Sequence, residues 1–325
     1  MDPRLFNALV AVIGVPATLV AFILLVEFLL GRLPGGLQPK LRPWLWLLPA
    51  LAFLGFFLVF PTIQTIARSF QDNKFGRNFV GLANYEWFIN SNDTVSSLIN
   101  SIIWVLLLTA LTVGIGLLVA VVVDRVRYES IAKSVIFLPL AISATAAGVI
   151  WYFMFLYVIP PQAQVGTLNG ALGAVGAGPV AFLQVDDFRF NTIMLVIVMA
   201  WMWTGFAMVI ISAAYKGISP ELMEAARVDG ANEVQVFRSI VWPLLLPTIA
   251  VITTTMIITA LKAFDLVFVM TGGRFDTSVI AFDMISQFSF GNIGRSAAIS
   301  VVLLLAIVPI MAFNIQRFRA QEAIR

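Results

Sequence analysis

Few residues in this chain could do chemistry. Asp, Glu, Lys and Arg make up 11% of its 325 residues, 60% are hydrophobic, and neither histidine nor cysteine occurs. Imidazole acid–base catalysis, thiolate nucleophiles, disulfides and zinc-finger ligand sets are thereby excluded. No loop of the form GxxxxGK[ST] is present to cradle a nucleotide phosphate. Charge is concentrated at two informative places. One is a polar island from Ile218 to Phe237, carrying Glu221, Glu224, Arg227, Asp229 and Gly230 between long apolar runs. The other is Lys262 with Asp265, three residues apart inside an apolar run. A charge within a membrane span is costly and must face protein or water. On a continuous helix, residues at i and i+3 share a face, so these two could pair with each other or serve a solute path. Neither place holds a set of groups for making or breaking bonds. The chemistry they offer is docking and recognition.

The elements that position them are set by lipid. A mean hydropathy of +0.97 is more apolar surface than a soluble core can hide. Roughly 20 apolar residues cross a bilayer core as a helix. Seven runs qualify, 5–30, 44–68, 98–123, 133–157, 190–214, 244–268 and 296–316. The first is too long, and lacks the small-residue site, for a cleaved signal peptide, so it reads as a retained helix. An all-α integral membrane protein follows, because lipid forces each backbone group to pair within its own segment. Net charge is only +3 and dispersed over loops, which gives no footprint for nucleic acid. The loop set Arg32, Lys40, Arg42, Arg125, Arg127, Lys133, Lys216, Arg227, Arg238, Arg317, Arg319 and Arg325 outweighs the set Arg4, Arg68, Lys74, Arg77, Arg189, Arg274 and Arg295. The richer set predicts the cytoplasmic side, with the N-terminus outside and the C-terminus and the polar island inside.

Within the island, Ser219-Pro220-Glu221 predicts a helix start: a capping hydroxyl, a proline at the first turn, an acid at the positive end. That helix runs to about Val228 and stops at Asp229-Gly230, where glycine permits a left-handed turn. A second helix is expected from the Asn232 cap to about Ile240, before Pro243 and Pro247 break the chain into the next span. The product is a helix–turn–helix elbow whose Leu222, Ala225 and Ala226 present a smooth face. An ordinary interfacial loop has the same features.

Glu224-Ala225-Ala226, Asp229-Gly230-Ala231, Phe237, Ile240 and Pro243 resemble the EAA-type loop of ABC importer permeases, with Trp242 standing where the family usually has leucine. Further segments resemble the carbohydrate-uptake, maltose and alpha-glucoside branch. They are Phe79-Val-Gly-Leu-Ala-Asn-Tyr85, Asn100-Ser101, Phe137-Leu-Pro139 running to Trp151, and Phe264-Asp265 through Thr271-Gly272-Gly273. The resemblance implies a type I importer transmembrane domain over 44–318, an extra N-terminal helix and linker over 1–43, and a tail over 319–325. It implies no enzyme activity and no cofactor in this chain, ATP and Mg being bound by a dimer of cytoplasmic ATPases. The other implied partners are a second homologous permease, an external sugar-binding protein and the sugar. Glu221, Glu224, Ala225, Ala226, Asp229, Gly230, Ala231 and Phe237 would then form the ATPase-coupling loop.

For the solute path, sugars need aromatic faces and a few directed polar groups. Trp203 and Phe206 on one span, and Thr259, Lys262 and Asp265 on the next, supply both types. Carrying the maltose-type pattern over adds Met199, Met202, Met256 and Ala263. Asparagines expected there are Ala260 and Ala263, so the resemblance implies a smaller share of the binding for this subunit than for its partner. A permease for another solute such as glycerol phosphate, or an ion-coupled transporter, is the competing expectation.

Overall fold

A computed structural model of the protein describes residues 3–72, 78–124 and 126–322. Lys74, Arg77, Arg125 and Arg325, which enter the loop count, lie outside those residues, as do 323–325 of the expected tail. Among the described residues all regular structure is helical, apart from one isolated antiparallel bridge, Gln71 to Phe79. Six helices are long and apolar enough to cross a membrane: Val12–Gly31, Gln38–Arg68, Asn92–Val123, Asp187–Lys216, Glu233–Leu261 and Ile293–Ala312. A further apolar stretch is a bent helix pair, Glu129–Ala141 with Ala144–Met154, which makes seven if the pair counts as one span.

By compactness the chain forms two units, Met1–Gln64 and Thr65–Arg325. In the first, α1 (Pro3–Gly31) precedes α2 (Gln38–Leu54), which continues through a widened π-type turn at Gly55–Val59 into α3 (Phe60–Arg68). Phe22 and Trp46 meet edge to face at 6.0 Å, and Arg42 lies 2.8 Å from Glu27. Glu27 thus has a partner on the next helix. These contacts tie the second span to the first, which is why the compact unit extends past residue 43.

The second unit holds α4 (Ala83–Asn90), α5 (Asn92–Ile103), α6 (Thr109–Val123), α7 (Glu129–Phe137), α8 (Ala144–Met154), α9 (Thr167–Ala174), α10 (Phe190–Lys216), α11 (Pro220–Val228), α12 (Glu233–Val236), α13 (Trp242–Leu261), α14 (Asp265–Met270), α15 (Ile280–Ser289) and α16 (Ile293–Glu322). Its axis is α10, the span with the largest buried share. Small residues let neighbours come close to it. A Cβ on Gly116 of α6 would lie 2.8 Å from Ala207 Cβ, and one on Gly205 would lie 2.4 Å from the Ile136 carbonyl oxygen. Leu195, Met208 and Ile211 of α10 are fully buried with Trp104, Leu108, Leu245 and Ile252.

Two expected spans are broken. The run 133–157 bends by 98° where Pro139 sits in a tight turn, Leu138–Ala141, and Ile142 is extended. Ser143 then caps α8 by accepting from Ala146 N at 3.2 Å. The run 244–268 stops at Leu261 and restarts at Asp265, so Lys262 and Asp265 are not neighbours on one helix face. Conversely, Pro243 and Pro247 do not break the chain, and Glu233–Leu261 is one continuous helical span. A π-type turn over Phe237–Val241 absorbs the backbone crowding that Pro243 would otherwise cause.

The Phe79–Tyr85 segment proves to be a clamp. Asn84 Nδ2 donates to the carbonyls of Ser69 (2.9 Å) and Gln71 (2.8 Å), and Tyr85 Oη donates to Ser69 Oγ at 2.7 Å. Gly294 of α16 closes the clamp, since a Cβ there would fall 2.3 Å from Gln71 O. Asn84→Ala leaves two carbonyls unpaired and is expected to cost about 1–3 kcal/mol. A thermal unfolding midpoint in detergent equal to wild type would contradict that role.

Candidate functional site

The elbow forms as its residues dictate, with one exception. Ser219 occupies the cap position of α11, but its hydroxyl makes no capping hydrogen bond and Pro220 alone starts the helix. At the other end Gly230 adopts φ +89°. Gly230 N donates to Arg227 O (3.1 Å) and Ala231 N to Ala226 O (2.9 Å), the paired bonds that close a helix through a left-handed glycine. Asn232 and Gln235 then exchange side-chain and backbone bonds at 2.8 and 3.0 Å, a full capping box for α12. Arg227 and Glu233 bridge the turn at 2.7 Å. The helix α11 has no buried residue, and Glu221, Glu224, Ala225, Asp229 and Gly230 are exposed. Ala226 and Ala231 are half-buried, and Phe237 anchors the elbow by packing with Met223 and Trp242 against the core. The geometry is a rigid polar knob held between α10 and the α12–α13 span.

Above the elbow, Glu129 of α7 bridges Lys133 and Lys216, and Lys216 also lies 3.5 Å from Asp124. This network joins the α6–α7 connection to the last residue of α10. Sequence reasoning gave Lys133 and Lys216 only as loop charges and passed over Asp124 and Glu129, because spacing along the chain does not show that the three segments converge.

Deeper in the unit lies a cavity of about 420 Å³. Met199, Met202, Trp203, Thr259, Lys262, Ala263 and Asp265 line it, bringing together seven of the nine expected path residues. The other two sit elsewhere. Phe206 packs edge-on against Trp203 with ring centroids 5.5 Å apart, and Met256 is fully buried in the core. Sequence reasoning missed Trp104, Leu140, Ile142, Ala144, Ile258, Phe264 and Leu266, which complete the lining. Ile142 and Ala144 reach it only through the bend between α7 and α8, which apolar periodicity does not report. Trp203 is the middle residue of the 27 in α10, so roughly 20 Å of helix extends to either side of the cavity.

Lys262 and Asp265 are both exposed. Among the described residues no ion pair or hydrogen bond joins their side chains to each other or to a third group. They are therefore not the structural pair that their spacing allowed.

At the end of α10 away from the elbow, two of the sequence motifs meet. Asn100 Nδ2 donates to the carbonyls of Asp276 (2.7 Å) and Ser278 (2.8 Å), and Ser101 Oγ accepts from Ile280 N at 3.0 Å. These bonds fix the turn that follows Thr271-Gly272-Gly273. Gly273, at φ +71°, has the Phe282 ring where a Cβ would be, at 2.4 Å. Arg189 pairs with Asp276 and donates to Ser96 Oγ at 2.7 Å. Phe188, Arg189, Phe275 and Asp276 all adopt positive φ, so four strained residues are held by one network.

Asp283 borders this knot and accepts from Ser278. Burial raises its carboxyl above the ordinary range, the serine hydroxyls of Ser278 and Ser97 oppose that rise, and nearby Asp93 adds to it. A carboxyl with a raised folded-state pKa binds more protons folded than unfolded, so stability falls as pH rises through that pKa. The unfolding midpoint should therefore climb as pH is lowered toward the ordinary carboxylate range, and Asp283→Asn should flatten the climb. An unchanged slope in the variant would show that the acid is solvated.

With the geometry described, similarity can be weighed. Residues 112–321 match the family model for the binding-protein-dependent transport system inner membrane component. The chain belongs to this family. As a membrane component of such systems, it is 47% identical over 282 residues to the osmoprotective compounds uptake permease protein GgtC of Synechocystis sp., spanning 86% of this chain and 100% of that one. It is 43% identical over 280 residues to the alpha-glucoside transport system permease protein AglF of Rhizobium meliloti, spanning 85% and 82%. A crystal structure of a bacterial alginate ABC transporter, in complex with alginate pentasaccharide-bound periplasmic protein, superposes with a TM-score of 0.74 at 20% identity over 87% of this chain and 96% of that one. That likeness establishes the permease fold for this inner membrane component.

Proposed function

We propose that this permease is one of two different membrane subunits of an ATP-driven importer of small glycosides, alpha-glucosides first among them. An external sugar-binding protein would deliver the solute, and a pair of cytoplasmic ATPases, which bind ATP and Mg, would seat the elbow. The elbow then lies on the cytoplasmic side, the N-terminus outside and the C-terminus inside. The observation that carries this reading is mechanical continuity. The exposed elbow is joined to α10 through the three residues 217–219 and to the α12–α13 span through the capped turn at 229–232, and those helices wall the cavity. Movement of the elbow by a partner is transmitted to the cavity wall as rigid-body motion. The name of AglF supports a solute of alpha-glucoside type, and that of GgtC an osmoprotective compound. The chain itself has no phosphate-binding loop, in keeping with an ATPase carried on a separate subunit.

The test is uptake of a labelled alpha-glucoside into proteoliposomes containing the assembled complex. Uptake is expected only with ATP on the elbow side and binding protein on the other. Uptake driven by an ion gradient without ATP would replace this reading with a secondary transporter.

A further inference from the structure

We infer that Lys262 and Asp265 form a split charge couple that makes the cavity selective for net-neutral, hydroxyl-bearing solutes. The inference rests on the proposed sugar-import reading and adds to it the residues that recognise the solute and the solutes they reject. Three observations converge. Both charges line the cavity at mid-depth of the membrane-crossing helices, beside Trp203. Both are exposed and, among the described residues, unpaired, so no group of this chain neutralises them. A charge facing lipid at that depth is costly, which places this face of α13 and α14 toward protein or water.

The third observation is how little else in the cavity is polar. The Thr259 hydroxyl is already donated to Thr255 O at 2.8 Å. The Trp104 indole N–H, buried at the cavity, has no hydrogen-bond partner. The remaining lining is methionine, aromatic and aliphatic. A solute ring would therefore lie on apolar and aromatic surface and take its directed bonds from one cation and one anion, the Trp104 N–H being buried within the wall.

That set fits vicinal hydroxyls. Each hydroxyl accepts from the ammonium or donates to the carboxylate, so a neutral diol satisfies both charges. An anionic solute gains from Lys262 but is repelled by Asp265, and a cation meets the reverse. Either ion also loses its own hydration on entry. A lone lysine would select anions and a lone aspartate cations; the couple selects neither.

The experiment measures equilibrium binding of three labelled probes to the intact, detergent-solubilised complex: methyl alpha-glucoside, methyl alpha-glucuronide and glucosamine. Wild type is expected to bind the neutral glucoside at least tenfold more tightly than either ion. Asp265→Asn should weaken the glucoside about tenfold and gain affinity for the glucuronide. Lys262→Gln should weaken the glucoside similarly and gain affinity for glucosamine. The double variant should gain neither. A gain in one probe cannot arise from misfolding, which would lose all three. Unchanged selectivity in both single variants overturns the inference, as does a wild-type complex that imports glucoside but binds all three probes equally. If the wild-type complex imports no neutral glycoside at all, it is the sugar reading that fails.

Discussion

Glu224→Lys is expected to reduce ATP-driven uptake to background while the chain still inserts and assembles in the membrane. Glu224 is exposed on α11, a helix with no buried residue, so the substitution removes no packing from the fold. The elbow is held by other groups: the left-handed Gly230, the Asn232–Gln235 capping box and the Phe237 anchor. What the substitution changes is the charge that the elbow offers to a partner. If a basic group of the ATPase receives Glu224 in a cleft, reversal leaves two like charges in contact and costs a few kcal/mol, about a hundredfold in coupling. Gly230→Pro is the conformational counterpart, because proline cannot adopt the φ of +89° that closes α11. The measurement is uptake together with ATPase activity in proteoliposomes. Loss of uptake with intact assembly is expected for both variants, and wild-type uptake by either would remove the elbow from the coupling path.

Gly205→Leu is expected to prevent folding altogether. A Cβ at 205 would lie 2.4 Å from Ile136 O and 2.6 Å from Phe137 Cα. Both obstacles are backbone, so no side chain can swing aside, and α10 would have to leave the bend that follows α7. Overpacking a well-filled core costs about 1–3 kcal/mol even where side chains can adjust. Here the displaced helix is the axis of the unit, and the loss should exceed that range. Folded yield by size-exclusion chromatography in detergent is expected to fall to near zero. Gly114, whose added Cβ meets nothing within 4 Å, gives the control. Gly114→Ala should express like wild type, and equal yields for Gly114→Ala and Gly205→Leu would show that the close approach at 205 does not hold.

Much of this was legible in the sequence because membrane proteins are simple where lipid is the solvent. Five of the seven apolar runs recur as continuous helical spans and the other two as helices interrupted by a break, since run length and internal backbone pairing favour helices in lipid. The elbow was legible for a different reason: Gly230 and Asn232 are local signals acting within a few residues. The breaks were not legible. The run 133–157 read as a single span, and nothing in it gave the 98° bend at Pro139, where α10 receives the turn at Gly205. No glycine or proline stands at or beside the break at Lys262–Phe264, and so Lys262 and Asp265 read as neighbours on a helix. Prolines 243 and 247 misled in the other direction, because a π-type turn can absorb proline without ending the helix. Of the candidate path residues, those on the inner face of α10 and at the α13–α14 break converged on the cavity. Met256 did not, since its position on α13 turns it into the core.

The central claim is that the elbow is where a cytoplasmic ATPase docks. A photo-cross-linking amino acid placed at 224, and separately at 229, in the native membrane tests it most directly, with the adducts identified by mass spectrometry. The account predicts one dominant adduct at both positions, with a soluble ATPase of the ABC type, strengthened or weakened by ATP. Adducts with lipid alone, or with a protein outside the cytoplasm, would contradict it.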